Sequence, residues 1–310
     1  MDAIFNRRPP TAWDRFKSSP LLFLARLIYV PSHTPPNFGA GHTDKVRVIC
    51  ISDTHNSHNS QPPLPDGDIL IHSGDLTQSG TQQELENVLS WLNSQPHSHK
   101  LFIAGNHDTC LADSETHRRI SSTYPGLTYL QDSSTEIVVR GRRLRIYGSP
   151  YTPKHGSWVF QYPRVHPLWY SPDKNLTSEY QSTKLWSCIP PLTDILITHG
   201  PPFAHLDLDD RVGCYALLTA LWRVRPRLHV FGHIHAGRGL EFVMWDRAQK
   251  AYEDVCAGRS GWGGLIRLIW WTVTACVWQR NREDGTVLVN AAAVGGFRDD
   301  QRKGAIVVEL

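Results

Sequence analysis

The sequence predicts an α/β fold built on parallel strands, and three observations predict it. Short runs of apolar, mostly β-branched residues, such as Val46 to Ile51 and Leu228 to Phe231, read as strands buried on both faces. Helical periodicity fills some of the intervals between them, as in Gln82 to Trp91 with Leu85, Val88, Leu89 and Leu92. Forty per cent of the 310 residues are hydrophobic, enough for a substantial core. One large domain is expected over residues 45–310, preceded by a proline-containing leader over 1–44.

Along the chain, the leader's apolar run Leu21 to Val30 is interrupted by Arg26. It is too short to cross a bilayer and lacks a small-residue cleavage site after it, so packing onto the domain is expected. The strand Val46 to Ile51 then leads into Ser52-Asp53-Thr54-His55, and Ile69 to Ile71 into Gly74-Asp75. After the Gln82 helix, Leu101 to Ala104 leads into Gly105-Asn106-His107-Asp108. The run Arg140 to Arg145, flanked by Val139 and turning at Gly141, reads as a hairpin with a solvated basic face. Ile195 to Ile197 leads into His199-Gly200, Tyr215 to Trp222 reads as a helix ending before Pro226, and Leu228 to Phe231 leads into Gly232-His233-Ile234-His235.

Each strand therefore ends in a polar cluster with a glycine or serine beside it, and strand ends are where α/β proteins place chemistry. The set comprises imidazoles, carboxylates and one amide, with no thiolate. That suits two hard or borderline divalent ions and excludes zinc-finger chemistry. Asp53 and His55 are two apart on an extended segment, so both can grip one ion, and His233 and His235 repeat the pattern. Paired ions need a bridging carboxylate, and Asp75, alone on its strand end, is the natural bridge. His72, inside a strand, reads as a core histidine. His58 reads as a solvated loop residue, with substrate contact as its alternative. Six scattered cysteines, Cys50, Cys110, Cys188, Cys214, Cys256 and Cys276, read as free thiols of a reducing, cytoplasmic compartment. With 32 basic against 29 acidic residues, a net charge of +3 announces no nucleic-acid partner.

These clusters, in type, order and neighbouring glycines, resemble the calcineurin-like metallophosphoesterases. The stretches Asp66 to Asp75, Tyr147 to Pro150, Asp194 to Pro202 and Arg227 to His235 look like the MPPED-type subgroup, related to class III cyclic nucleotide phosphodiesterases. The resemblance implies a four-layer sandwich of two mixed β-sheets flanked by helices. It implies one metal ion on Asp53, His55, Asp75 and His235 and a second on Asp75, Asn106, His199 and His233, with a bridging hydroxide as nucleophile. His107 would protonate the leaving oxygen and Asp108 would orient it. Manganese or iron are the expected ions, with zinc or magnesium as alternatives. Some animal members of the subgroup replace the first histidine of the last motif with glycine, whereas this chain keeps His233. A phosphodiesterase is the expected activity, with cyclic nucleotides as a candidate substrate. The alternatives are a phosphomonoesterase or a weakly catalytic scaffold. Loops Thr109 to Ser121 and Pro150 to Tyr170 would shape the pocket.

The chain departs from that pattern over residues 245–282, which hold five of its eleven tryptophans. The run Leu265 to Trp278, broken by Arg267, would extend roughly 21 Å as a helix, short of a hydrocarbon core near 30 Å. Two readings of 261–280 stay open: a helix buried against the domain or a second subunit, which its scarcity of cations favours, and an interfacial helix at a membrane surface. Pairing with Leu21 to Val30 in one apolar patch is a further expectation.

Overall fold

A computed structural model describes residues 11–29, 45–168, 177–208, 212–277, 285–295 and 299–310. Residues 1–10 and 30–44 of the expected leader, Trp278 in the tryptophan-rich run, and Trp169 and Tyr170 of the Pro150 loop lie outside them.

The chain divides into two compact units, one of Met1–Thr34 with Met244–Glu283, the other of Pro35–Val243 with Asp284–Leu310. In the first, α1 (Ala12–Ser18) begins at a capping box in which Thr11 and Asp14 satisfy each other's backbone amides, and α2 (Pro20–Tyr29) buries Ala25 and Tyr29.

The larger unit holds two mixed sheets flanked by helices. In chain order its elements are β1 (Arg47–Ile51), β2 (Ile69–His72), α3 (Gln82–Ser94), β3 (His99–Phe102), α4 (Ser114–Thr123), β4 (Leu127–Tyr129), β5 (Ser133–Val139) and β6 (Arg142–Ser149). There follow β7 (Thr152–Pro153), β8 (Gln161–Tyr162), α5 (Thr177–Ser187), β9 (Ile195–Thr198), α6 (Tyr215–Val224), β10 (Leu228–Phe231) and β11 (Gly239–Met244). The smaller unit then adds α7 (Arg247–Cys256) and α8 (Trp262–Val277), before the larger unit closes with β12 (Gly285–Asn290), β13 (Val294–Gly295), β14 (Gln301–Arg302) and β15 (Ile306–Glu309).

One sheet has the order β15-β1-β2-β3-β4, parallel from β1 to β4 with β15 antiparallel at its edge. The other runs β11-β12-β10-β9-β6-β5, with β12, β10, β9 and β6 mutually parallel and β5 antiparallel to β6. Strands β1 and β2 are buried on both faces, which is why their sequences are continuously apolar rather than alternating. Ile49, Ile51, Leu70 and Phe102 face Leu85, Val88, Leu89 and Leu92 of α3 and Ile120 of α4, the apolar stripe that the helical periodicity predicts. The basic hairpin forms as expected: Val139 pairs with Arg142 across Arg140 and Gly141, both with positive φ, and its arginines meet Asp68 and Glu136 at the surface.

Within the smaller unit, Tyr29 stacks on Tyr252 with ring centroids 3.8 Å apart, and its hydroxyl donates to Gln249 Oε1 at 2.6 Å. Helix α2 packs on both α7 and α8. No helix of the described residues is long and apolar enough to cross a membrane. The five cysteines whose side chains are described are all unpaired.

Candidate metal centre

The two sheets meet at their strand ends, and this brings the polar clusters together. The Ser52 N–H after β1 donates to Ala291 O after β12 at 3.0 Å, and Ala293 N–H returns to Ser52 O at 2.7 Å. Gly232 N–H donates to His199 O at 2.9 Å, and the His233 N–H reaches both Asp53 oxygens at 3.0 Å. The result is a cleft of about 390 Å³ lined by His55, Asp75, Asn106, His107, His233 and His235, together with Gln78, His155, Trp158, Ile234 and Asp299.

The turns that accomplish this are tight. Asp53, His55, Asp75 and His233 have φ of 52°, 42°, 50° and 68°, a left-handed conformation costing side-chain-bearing residues on the order of 1 kcal/mol each. Gly232 has no room for a Cβ, which would collide with the Asp53 carboxylate and Ser52; one on Gly105 would meet the Asp75 amide and carboxylate.

The side chains form overlapping groups whose ligand atoms lie within 4.8 Å of one another: Asp53, His55 and His235; His55, Asp75 and His107; Asp75, His199 and His233. Asp75 Oδ2 stands 3.2 Å from His199 Nε2 and 3.7 Å from His55 Nε2, so it belongs to both ends of the site. His199 Nδ1 lies 2.9 Å from the Ser73 carbonyl, which can only accept, so that nitrogen carries the hydrogen. Its Nε2, the atom left for a ligand, then faces Asp75 Oδ2 and, at 3.1 Å, Asn106 Oδ1. The other end repeats the arrangement. His235 Nδ1 bonds Asp299 Oδ1 at 2.8 Å, which turns its Nε2 toward His55 Nε2 at 3.3 Å and Asp53 Oδ1 at 3.4 Å. Imidazole nitrogens buried against carboxylate and amide oxygens need a proton or a metal cation between them, and the three overlapping groups of ligand atoms make these residues fit metal ions.

The electrostatics agree. Burial alone would raise Asp53, but the hydrogen bond and charge of His235 hold it down to about 2, and His199 similarly keeps the buried Asp75 below the usual carboxylate range. Burial would lower His199 and His235, yet Asp75 lifts the first to about 9, and Asp53, with Asp299 behind it, lifts the second to about 9. Burial pushes His233 down to about 3 and lowers His55. Without ions, protons on His199 and His235 therefore balance two buried carboxylates, and ions must displace them. Raising the pH removes that competitor, so metal affinity is expected to increase up to about pH 9, with proton release on binding at pH 7. Calorimetry in two buffers of different ionisation enthalpy checks this; equal binding heats would contradict it.

All seven expected ligands and His107 converge. The ring of His107 is held by Nδ1–H donating to Gln78 O at 2.7 Å and by stacking on Trp158, centroids 4.3 Å apart, which leaves Nε2 as the atom able to move a proton. Asp108 does not orient it. Its buried carboxylate instead accepts the N–H groups of Leu76 (3.2 Å), Thr77 (2.9 Å) and Gly105 (2.8 Å) and the Thr77 hydroxyl (2.7 Å), fastening two motif loops together. Burial, then the Asp75 charge, push it up to about 6. His58 also departs from expectation: it is buried, its ring against Trp91 at 5.6 Å. His72 is a core histidine as read, its Nε2 3.0 Å from the Thr54 hydroxyl.

Three residues were missed. His155, edge-on to His233 at 4.6 Å, and Trp158 sit on the Pro150 loop, whose aromatic content was the only signal. Asp299, behind His235, follows no strand and carries no signal at all.

The profile of the Calcineurin-like phosphoesterase family matches residues 46–237. The chain belongs to that family. Among its relatives, human Metallophosphoesterase domain-containing protein 1 is 40% identical over 220 residues, covering 63% of this chain and 62% of that protein. A UPF0046 protein of Caenorhabditis elegans is 33% identical over 260 residues, 77% of this chain and 81% of its own length. A protein of Emericella nidulans named Probable rhamnogalacturonate lyase C is 44% identical over 321 residues; the match takes in 100% of this chain but spans only 29% of that protein. The family match ends at residue 237, before α7 and α8.

Proposed function

We propose that this chain is a two-metal hydrolase of phosphoric esters and that diesters are its preferred substrates. The observation that carries the reading is the buried convergence of imidazole nitrogens with carboxylate and amide oxygens around Asp75, in overlapping groups within 4.8 Å. Asp53, His55, Asp75 and His235 would hold one ion, and Asp75, Asn106, His199 and His233 the other. Manganese or iron suit these ligands best. When bound, two such ions supply charge neutralisation for a phosphoryl group and activation of water near neutral pH.

The chain's own residues do the rest. Asp299 and the Ser73 carbonyl fix the tautomers of His235 and His199, so that their Nε2 atoms point inward. His107 Nε2 hands a proton to the leaving oxygen, its ring clamped between Gln78 and Trp158. Trp158 also lines a neighbouring cleft of about 440 Å³ with Lys154, Gln161 and Tyr162. A diester has a second organic group to place there, whereas a monoester does not, and a flat aromatic group such as the base of a cyclic nucleotide suits the Trp158 face. The unpaired cysteines favour a reducing, cytoplasmic setting.

The test is hydrolysis of an aryl phosphodiester beside the matching monoester, after chelation and after reloading with manganese. The expected result is diester turnover that vanishes on chelation, returns on reloading and exceeds monoester turnover. Turnover of neither ester with two ions bound would support the scaffold reading instead.

A further inference from the structure

Helix α8 presents two apolar faces, of which its own unit uses one. Leu265 and Leu268 are buried, and Gly264 sits close against Val255 of α7. The other face carries Trp262, Ile266, Ile269, Trp270 and Val273, which are 58%, 67%, 44%, 63% and 57% exposed. At 100° per residue, these five fall within an arc of roughly 100°, a continuous stripe along the helix. The one charged residue of α8 is Arg267, also exposed and lying beside the stripe. None of these residues belongs to the family-matched region or lines the metal cleft.

We propose that this stripe seats the protein on a lipid bilayer, with α8 lying in the plane of the surface. At these exposures, and with aromatic side chains presenting roughly 150–250 Å² each, the stripe offers on the order of 600 Å² of apolar surface. That is large for a monomer's free surface but short of the ~800 Å² that each partner contributes to a standard protein interface, even with every exposed atom covered. A bilayer needs no complementary partner surface. It accepts tryptophan at headgroup depth and aliphatic side chains just below, which is the composition of this face. With Arg267 as the helix's single charge, apolar insertion rather than attraction to anionic lipid supplies the binding, so neutral phosphatidylcholine suffices.

Flotation of the full chain with phosphatidylcholine vesicles tests this. The wild type is expected to float, with its tryptophan fluorescence quenched by brominated lipid. The triple variant Trp262→Ser, Ile266→Ser, Trp270→Ser is expected to lose at least 10-fold in vesicle binding while its metal-dependent turnover and circular dichroism stay unchanged. A wild type that neither floats nor is quenched at saturating lipid overturns the proposal, as does a triple variant that floats equally well. Sedimentation showing a concentration-dependent dimer that the same substitutions abolish assigns the stripe to a second copy and overturns it too.

Discussion

Replacing Asp75 with asparagine is expected to cut phosphoester turnover by on the order of 10³-fold or more, the scale of losing a charge-stabilising group at the reacting atoms. The change is nearly isosteric. An asparagine oxygen can keep accepting the His107 N–H, which meets Asp75 Oδ1 at 2.8 Å, so the loop geometry is retained. What disappears is the charge that His199 and His55 both face, at 3.2 and 3.7 Å. Bound metal, read by elemental analysis of the dialysed protein, should fall from two ions to one or fewer while circular dichroism is unchanged. A variant that keeps both ions and wild-type turnover would show that Asp75 is not the shared ligand.

The second large effect is on stability. Asp108→Ala removes the acceptor for three buried backbone N–H groups and one hydroxyl. Each orphaned donor costs about 1–3 kcal/mol, offset in part because a buried carboxylate is also removed, so a net loss of about 3 kcal/mol is expected. For a unit of this size that corresponds to a melting temperature lower by roughly 10 °C. The measurement separates two roles. If Asp108 acted through the His107 ring, Asp108→Ala would reproduce the turnover loss of His107→Ala with the melting temperature untouched.

The residues that converge on the centre were legible because they follow strands with an apolar signature: Ile51 announces Asp53, and Phe231 announces His233. Asn106 and His199 were readable in the same way. Asp299 was not, because its place behind His235 depends on a segment after β13 that returns from the far end of the chain. Asp108 was misread for a related reason. Adjacency to His107 in sequence fixed nothing about direction, and with a tight helical turn over Thr109–Ala112 following it, the carboxylate reaches back to Gly105 and Thr77. His58 packs against Trp91 of the Gln82 helix, and no spacing rule connects the two rings. The strained φ values of Asp53, Asp75 and His233 left no trace in residue type, since only glycine advertises that conformation.

The smaller unit is assembled from two segments far apart in sequence: α2 ends at Tyr29, and the partners it packs on begin at Arg247. During synthesis α2 therefore leaves the ribosome with its apolar face uncovered and waits for roughly 220 further residues, some 10 to 50 s at ordinary elongation rates. Over that interval the strands that lead into the expected ligands, β1, β2, β3, β9 and β10, emerge in order, whereas β12 and the C-terminal strands follow α8. The apolar face of α2 thus stays open until α7 and α8 emerge, a natural handle for chaperones, and both units are completed only by the last part of the chain.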